Sequence, residues 1–202
     1  TTVQAGLTYY KQLNEQIRAA QDSEITVENV IGQRYIGCGS TDRKITVHGT
    51  AGNGLGQYLN GSTIEVFGNA QEAVGDTMNA GEIVVHGNVG DACYIKGDCG
   101  YRAGIHMKAY QQHFPVMVVG GKAGSFLGEY LAGGLILVLG IGQNGAYPVN
   151  NFCGTGMHGG KIVLRCDKAP SDLPRQVLVS EVSEDDMTEF APYIKEYAQL
   201  FD

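Results

Sequence analysis

Two glycine-rich stretches of the 202-residue chain have the Gly-x-Gly-x-x-Gly spacing that can cradle the pyrophosphate of a dinucleotide. The first is Gly140, Gly142 and Gly145, and the second is Gly154, Gly156 and Gly159. Such a loop binds phosphate when a helix follows it, because the helix N-terminus then faces the pyrophosphate. Gly145 is followed by AYPVNNF, which does not start a helix, and Gly159 is followed by the strand-like GKIVLR. Chance matches are expected in a chain with 30 glycines, so we predict no nucleotide site.

Histidine, cysteine and arginine side chains near glycine turns form a second group with chemical potential. These residues are Cys38, Arg102, His106, Cys153 and His158. A thiol activated by a histidine base acts as a nucleophile only when folding brings the two within hydrogen-bond reach. The sequence does not bring these residues into one cleft. We therefore assign no catalytic, cofactor-binding or metal-binding residue.

His48 and His86 occupy equivalent positions of a repeat, two units apart. Stacked strands lie about 4.8 Å apart, so the two imidazoles would be about 9–10 Å from each other. That distance is too long for two ligands of one metal ion, and we predict solvent-facing side chains. The five cysteines form no Cys-x-x-Cys pair, which favours reduced, buried thiols in a cytoplasmic protein. They are Cys38, Cys93, Cys99, Cys153 and Cys166.

The composition excludes several classes of function. With 14 basic and 21 acidic residues the formal charge is −7, and there is no basic block to follow a nucleic acid or an anionic membrane. No apolar run reaches the roughly 18–20 residues that span a bilayer. Hydrophobic residues make up 43% of the chain, which is enough for a folded core. We expect neither nucleic-acid nor membrane partners.

A strand that recurs at a fixed interval is the strongest pattern in the sequence. KITVHG at Lys44–Gly49 is followed by TIEVFG at Thr63–Gly68 and EIVVHG at Glu82–Gly87, each 19 residues after the last. Related strands end at Gly120, Gly140 and Cys166. A second glycine precedes most end-points by twelve residues, at Gly37, Gly56, Gly75, Gly128 and Gly154, with Gly104 sixteen residues before Gly120. Nineteen residues are too few for a βαβ unit and fit one coil of a solenoid.

Two columns of apolar residues are predicted to face the interior of this solenoid. Residues two apart in a strand share a face, so like residues stack from coil to coil. The first column is Ile45, Ile64, Ile83, Val116, Ile136 and Ile162, and the second is Val47, Val66, Val85, Val118, Val138 and Leu164. β-Branched residues dominate both columns and suit stacked strands. The sequence predicts an all-β fold, a single-stranded parallel β-helix with short terminal helices.

The outward positions differ between the early and the late coils. Around Met117–Val119 and Leu135–Leu139 the strands are apolar on both faces, and such strands are covered on both faces. The cover is a terminal helix, the loop at 105–115 or another chain, and these alternatives stay open. Stacked asparagines are also predicted, as the pairs Asn60 with Asn79 and Asn69 with Asn88.

Both ends of the chain have helical composition. Residues 6–20 and 183–201 are predicted to be helices that cap the solenoid. Ser183 with Asp186 is typical of a capping box, and Pro192 is expected to end or kink the last helix. Within a single domain of residues 1–202, the predicted boundaries are 1–24 for the N-terminal helical cap, 25–166 for the coils and 167–202 for the C-terminal segment with its helix.

Three stretches, residues 52–91, 100–110 and 152–165, carry a pattern that resembles the GXGXG domain. This domain is the C-terminal right-handed β-helix of the glutamate synthase large (alpha) subunit, and a related domain forms one of the subunits of formylmethanofuran dehydrogenase. The resemblance covers about residues 25–166, and GYRAGIHMK favours glutamate synthase. One departure is the short YIKGDCGYRAG, so we expect a compressed coil through residues 88–103.

The resemblance implies a role in assembly. In glutamate synthase an amidotransferase domain hydrolyses glutamine, a flavin-binding barrel holds FMN and an iron–sulfur cluster, and the β-helix packs these domains together. The chain begins at Thr1 and contains no barrel, so the resemblance implies a free-standing third domain. It would carry no cofactor itself and would bind amidotransferase and FMN-barrel subunits, with homo-oligomers left open. The alternatives are the β-helix subunit of a formylmethanofuran dehydrogenase-like complex and a β-helix acyltransferase with His106 or His158 as base.

Overall fold

Nine strands and two helices make up the computed structural model, which describes residues 1–86, 94–96, 98–109 and 114–201. In chain order the elements are β1 (Thr2–Gln4), α1 (Tyr10–Ala19), β2 (Glu24–Ile31), β3 (Lys44–Thr50), β4 (Asn60–Phe67), β5 (Ala80–Val85), β6 (Tyr94–Ile95), β7 (Val116–Val119), β8 (Ala132–Val138), β9 (Gly159–Leu164) and α2 (Glu184–Phe201). Each strand pairs in parallel with the next strand of the chain, which gives one unclosed sheet with β1 and β9 at its edges. The predicted mostly-β, parallel architecture is confirmed.

The predicted inward columns are present in the early strands. Ile45 pairs with Ile64, and Ile64 pairs with Ile83. The second column, two positions further along, is Val47, Val66 and Val85. All six side chains are 0% exposed. Burying an aliphatic side chain of this size stabilises a fold by about 1.5–3 kcal/mol, so this stack is the main source of stability in the sheet.

The predicted columns are wrong by one residue in β7. The repeat pattern places Val116 and Val118 inside, but Val118 lies in an outer cluster of apolar residues. The structure instead pairs Met117 with Ile136 and Val119 with Val138, so that Met117 and Val119 continue the inner columns. Because neighbouring residues of a strand point to opposite faces, a slip of one position exchanges the inner and outer sets.

A glycine doublet explains this slip. Aligning β7 by the first glycine after it, Gly120, assumes that this residue corresponds to Gly140. The backbone shows that the second glycine does: the Gly140 N–H donates to the Gly121 carbonyl at 3.1 Å. Two consecutive glycines give the same sequence signal, and only the pairing between strands separates them.

The coil that was expected to be compressed has a short interval between its strands. Val85 pairs with Ile95, ten positions later, whereas Val66 pairs with Val85 nineteen positions later. β6 has two residues, and Ile95 pairs onward with Val119. Asn88, predicted to pair with Asn69, lies outside the described residues.

Helix α2 covers the apolar outer face of the late strands. Its apolar side chains join outward residues of β5–β8 in one cluster: Val84, Tyr94, Val118, Leu135, Leu137, Phe190, Tyr197 and Phe201. Two hydrogen bonds of 2.8 Å fix the helix there, from the Tyr94 hydroxyl to Glu196 and from the Tyr197 hydroxyl to the Lys96 carbonyl. Of the covers left open by the sequence, the terminal helix occupies this face. The face is therefore not free for a partner.

The start of α2 confirms the predicted capping box. The Asp186 N–H donates to Ser183 Oγ at 3.1 Å, and the Ser183 N–H donates to the Asp186 carboxylate at 3.0 Å. Each side chain thus satisfies a backbone donor of the other residue. The helix continues to Phe201, so Pro192 does not end it.

The N-terminal segment supplies both an edge strand and a helix. β1 pairs with β2 before α1 begins, and Leu13 and Ile17 of α1 join the inner apolar cluster. Asn14, which is also buried, donates from its amide to the Arg34 carbonyl at 2.8 Å. No helix among the described residues is long and apolar enough to cross a membrane.

Candidate functional site

Six corners between the described strands repeat one unusual backbone. In each corner the residues at i, i+2 and i+4 all have positive φ, between 53° and 75°. The middle residue is always glycine, at Gly37, Gly56, Gly75, Gly104, Gly128 and Gly154. Left-handed backbone costs an L-residue roughly 1–2 kcal/mol, and glycine avoids this cost. These six glycines are the ones that the sequence repeat identifies.

The middle glycine is also required by the interior. A Cβ added at Gly37 would lie 2.5 Å from Ile64 Cδ1, and one at Gly128 would lie 2.6 Å from Ile162 Cδ1. These isoleucines belong to the first inward column, so the corner backbone lies directly against the core. Any larger residue would push into side chains that are already close-packed.

Backbone hydrogen bonds join successive corners. The Gly39 N–H donates to the Gln57 carbonyl at 2.8 Å, and the Tyr130 N–H donates to the Thr155 carbonyl, also at 2.8 Å. Left-handed residues thus direct their N–H groups along the stack instead of into solvent. Among the described residues such bonds join the corners at Gly37, Gly56 and Gly75 into one row and those at Gly104, Gly128 and Gly154 into another.

Gly52-Asn-Gly54-Leu-Gly56 shows how this geometry selects glycine at every second position. Gly54 and Gly56 are left-handed, and a Cβ at Gly52 would collide with the Gly32 carbonyl oxygen. The family model described as GXGXG motif matches residues 10–202. The chain belongs to this family. The three glycines of the motif therefore have physical reasons here. The first allows a close approach to the neighbouring backbone, and the second and third adopt left-handed conformations.

The similarity to known proteins extends over almost the whole chain. A curated protein of Methanocaldococcus jannaschii, described as uncharacterized, is 40% identical over 212 residues, which cover 96% of this chain and 81% of the relative. Its description names no activity. No solved structure matches the chain.

The outer side chains of the late GXGXG corners form a stacked face, which we call the corner face (Arg102, His106, Phe126, Tyr130 and Phe152). The Phe126 and Phe152 rings stack with centroids 4.8 Å apart, and the Arg102 guanidinium lies 5.6 Å from the Phe126 centroid. His106 stacks on Tyr130 at 5.4 Å. Phe152 is 52% exposed and Tyr130 is 48% exposed, so large rings are open to solvent on a rigid backbone.

One ion pair anchors the corner face to the interior. Arg102 Nε lies 2.9 Å from Glu129 Oε2, and the Glu129 side chain is only 7% exposed. No hydrogen bond from a described residue reaches this oxygen with good geometry, so the guanidinium is its charge partner. A buried carboxylate is costly without such a partner. The Arg102 charge is thus committed to the protein itself.

The structure brings together only some of the predicted candidates. Arg102 and His106 lie in one corner, two residues either side of Gly104. Cys38 follows β2 and Cys153 precedes β9, at opposite ends of the strand order, so they share no cleft with each other. His158 is exposed, with Nδ1 3.2 Å from the Gly156 carbonyl oxygen.

Burial makes the described thiols poor nucleophiles. It raises the pKa of the Cys153 thiol to about 12, and it raises the pKa of the Cys38 and Cys166 thiols as well. The thiolate is the reactive form, and at neutral pH these groups stay protonated. Cys38, Cys99, Cys153 and Cys166 form no disulfide. Cys99 and Cys153 are buried as predicted, whereas Cys38 and Cys166 are only partly buried, and Cys93 lies outside the described residues.

His48 and His86 form a stack on the outer face of the early strands, with Phe67 between them. The centroid distances are 5.2 Å from His48 to Phe67 and 4.6 Å from Phe67 to His86. His86 Nε2 lies 3.1 Å from Glu65 Oε1. The phenyl ring separates the two imidazoles. They lie on the outer face but are only partly exposed, since the His48 side chain is 42% exposed and the His86 side chain, which packs against Phe201 of α2, is 29% exposed. The described residues contain no group of three His, Cys, Asp or Glu side chains suited to a metal.

Neither glycine fingerprint forms a phosphate-binding loop followed by a helix. Gly154 and Gly156 of the second belong to a left-handed corner. Gly140, Gly142 and Gly145 lie in turns and line a depression of about 220 Å³. No helix follows them before β9, and the Asp167 carboxylate lies where a Cβ of Gly145 would be. A carboxylate at this point would repel a phosphate.

The predicted Asn60–Asn79 stack is shifted, since Asn60 pairs with Ala80.

Sequence reasoning missed Glu129, Phe126, Tyr130 and Phe152 as functional candidates. The signal was available, because three of them lie two residues before or after a repeated glycine. Treating that glycine as the middle of a left-handed triplet would have assigned its neighbours at ±2 to the outside. Glu129 gives no such signal, since its burial depends on packing between corners.

Proposed function

We propose that the chain is a non-catalytic assembly subunit of a glutamate synthase-like complex and that it winds as a right-handed parallel β-helix. The winding is supported by the strand order, which follows the chain from β1 to β9. It is also supported by parallel bridges away from the main strands, where Ala51 pairs with Ala70 and Ala123 pairs with both Cys99 and Val149. Sheet, corners and bridges are three lines of pairing that a coil would cross in each turn.

The observation that carries the functional proposal is the corner face. Its exposed rings stand on left-handed residues whose N–H groups are bonded, those of Phe126 and Tyr130 to the next corner and that of Phe152 to the Asp172 carboxylate, so they form a preorganised surface. Aromatic side chains and arginine are enriched at protein–protein interfaces, and a rigid surface loses little entropy on binding. Membership of the GXGXG family supports the same role, since the resemblance to the glutamate synthase domain implies that the chemistry belongs to its neighbours. FMN and the iron–sulfur cluster would be held by those partners.

The geometry gives less support to catalysis by this chain. The thiols remain protonated at neutral pH, and Arg102 is neutralised by Glu129. An acyltransferase of the hexapeptide type has regular coils of about 18 residues, whereas Val85, Ile95 and Val119 pair at intervals of ten and twenty-four. His106 packs against Tyr130, which restricts its motion toward a substrate.

The test is reconstitution with an amidotransferase subunit and an FMN-barrel subunit from the same organism. Size-exclusion chromatography with light scattering should show a stable complex of cytoplasmic proteins. Phe152→Asp should weaken the complex, because it places a charge in the exposed aromatic stack. Failure of the wild-type chain to bind either subunit would overturn the proposal. Binding instead to a molybdenum or tungsten subunit would favour the formylmethanofuran dehydrogenase-like assembly.

A further inference from the structure

We propose that residues 176–182, the docking segment, add as a β-strand to an open sheet edge of a partner protein, and that the partner surface around this edge is basic. The segment reads QVLVSEV and connects the end of the sheet to α2. The inference rests on the proposed function, because it names where one partner of the assembly binds. The segment begins beside the last corner of the corner face, where Val177 lies against Gly154, but none of its residues belongs to that face.

The docking segment exposes large apolar side chains. Leu178 is 97% exposed, Val179 is 58% exposed and Val182 is 46% exposed. All residues from 178 to 184 are exposed, although the inner cluster and α2 cover apolar groups elsewhere. A run of exposed apolar side chains rimmed by polar ones marks an interaction site.

From residue 178 to residue 182, the backbone N–H groups of the docking segment have no hydrogen-bond partner among the described residues. Val177 donates its N–H to the Pro174 carbonyl at 3.0 Å, but the N–H groups of residues 178–182 form no backbone hydrogen bond with the described chain. The composition, rich in valine and leucine, is that of a strand. A strand-like segment with free N–H and C=O groups is suited to pairing with an exposed edge strand.

Both ends of the docking segment are held in place. On one side Leu173 packs against the inner apolar cluster, and Val177 Cγ2 lies 3.3 Å from where a Cβ of Gly154 would be. On the other side the Ser183–Asp186 capping box fixes the start of α2. The residues between these anchors are thus presented at a defined place, which lowers the entropic cost of binding.

Charge identifies the partner. Residues 167–202 contain nine acidic and three basic side chains, while residues 1–166 contain twelve acidic and eleven basic ones. Glu181, Glu184 and Asp185 flank the exposed apolar residues directly. A second copy of the chain that paired through the same segment would place like charges together, which is unfavourable. The charge pattern therefore favours a different protein with a basic rim around its edge strand.

Hydrogen exchange measured by mass spectrometry tests this inference on the reconstituted complex with the amidotransferase and FMN-barrel subunits. In the free chain the amides of residues 178–182 should exchange within seconds, because they lack hydrogen bonds. In the complex about half of them should be slowed at least tenfold, since every second N–H of an edge-paired strand bonds to the neighbour. Affinity should fall as salt is raised from 50 to 300 mM, because the acidic rim is screened.

Leu178→Arg is the decisive variant, and Leu7→Arg is its matched control, since Leu7 is 96% exposed at the other end of the chain. We expect Leu178→Arg to weaken the complex at least tenfold and Leu7→Arg to bind like the wild type. If the complex forms but residues 178–182 stay unprotected, or if Leu178→Arg binds normally, the inference is overturned and the proposed function stands. A homodimer of the isolated chain that Leu178→Arg dissociates would overturn the assignment of a basic partner. If the wild type binds neither subunit, both proposals fail.

Discussion

In the early half of the sheet, from β2 to β5, the outer strand face carries His48, Phe67 and His86, stacked and partly open to solvent. In the late half, from β6 to β9, the corresponding face is largely apolar and lies under α2. The corners differ in the same direction. At the equivalent positions the early corners carry Tyr35, Tyr58, Ala73 and Thr77, and Tyr35 lies edge-on to Tyr10 of α1. The late corners carry the rings that stack from corner to corner in the corner face.

The interior does not share this difference. Gly56 lies against Ile83 in an early corner, and Gly128 lies against Ile162 in a late one, with nearly equal distances of 2.5 and 2.6 Å to an added Cβ. The repeat therefore specifies the same corner geometry in both halves, and the outward positions are free to diverge. We infer that the fold depends on the glycine–isoleucine contacts that the two halves share. Partner binding depends on the outward side chains, in which the halves differ.

The largest expected effect comes from the shared feature. Gly56→Ala and Gly128→Ala should each destabilise the protein by about 3 kcal/mol, from left-handed strain of roughly 1–2 kcal/mol and overpacking against the isoleucine of roughly 1–3 kcal/mol. The melting temperature should fall by about 6–12 °C for a domain of this size. Urea unfolding of both variants measures whether the early and the late half respond alike.

Gly39→Ala is the control for this comparison. Gly39 is also left-handed, with φ of 66°, but an added Cβ would meet nothing within 4 Å. It should therefore lose only the strain component, about 1 kcal/mol. Equal losses at Gly39 and Gly56 would show that the contact with the isoleucine contributes nothing.

The second prediction concerns a feature of the late half alone. Arg102→Ala should cost about 2 kcal/mol, because it leaves the buried Glu129 carboxylate without its charge partner. The double variant Arg102→Ala with Glu129→Gln should recover part of this loss, since no charge then remains buried. Thermal unfolding of the two single variants and the double variant completes a mutant cycle.

An early corner provides the comparison. Gln57 donates to the Asp76 carboxylate at 2.7 Å, and neither residue is fully buried. Gln57→Ala should therefore cost less than about 1 kcal/mol. A larger loss at Gln57 than at Arg102 would contradict the view that the late corner contains the more costly polar pair.

Sequence reasoning predicted the shared interior well and the divergent exterior poorly. The 19-residue interval and the alternation of isoleucine and valine follow from stacking, so the columns through Ile45, Ile64 and Ile83 could be derived. The register of β7 could not, because Gly120 and Gly121 are equivalent signals until the strands are paired. The doubly apolar late strands indicated a cover, but three covers satisfied the same pattern.

The candidate site depends on contacts between successive corners, which a sequence does not display. Arg102 and Glu129 are 27 residues apart, and their ion pair exists only because successive corners stack. Likewise, exposure of Leu178 depends on where α2 is anchored, and the segment itself reads like any buried strand. Sequence patterns with a period of two or nineteen residues predict which residues stack in one column. They do not predict which outward side chains contact one another.

The third prediction tests the attachment of α2, which packs on the outer face of β5–β8. Ser183→Ala should destabilise the helix by about 1 kcal/mol, because the N–H of Asp186 loses its side-chain acceptor. Hydrogen exchange should increase in α2 and in β7 and β8 beneath it, while β3 and β4 stay unchanged. Thr188→Ala is a control, since its hydroxyl bonds only to the Glu184 carbonyl within the helix. A uniform increase over both halves would show that α2 and the whole sheet unfold as one unit.

The smallest effect is a dependence on pH through the same cap. Hydrogen bonds from Ser183, together with Lys161, lower the pKa of Asp186 from 3.8 to about 2. A carboxylate with a lowered folded-state pKa stabilises the fold above its unfolded pKa, and this contribution is lost as the pH falls toward the folded value. The stability difference between the wild type and Asp186→Asn should therefore be constant above pH 5 and should shrink between about pH 4 and pH 2. Melting temperatures of both proteins across this range measure the difference, and a gap that persists at pH 2 would show that the ionised carboxylate does not stabilise α2 on the late coils.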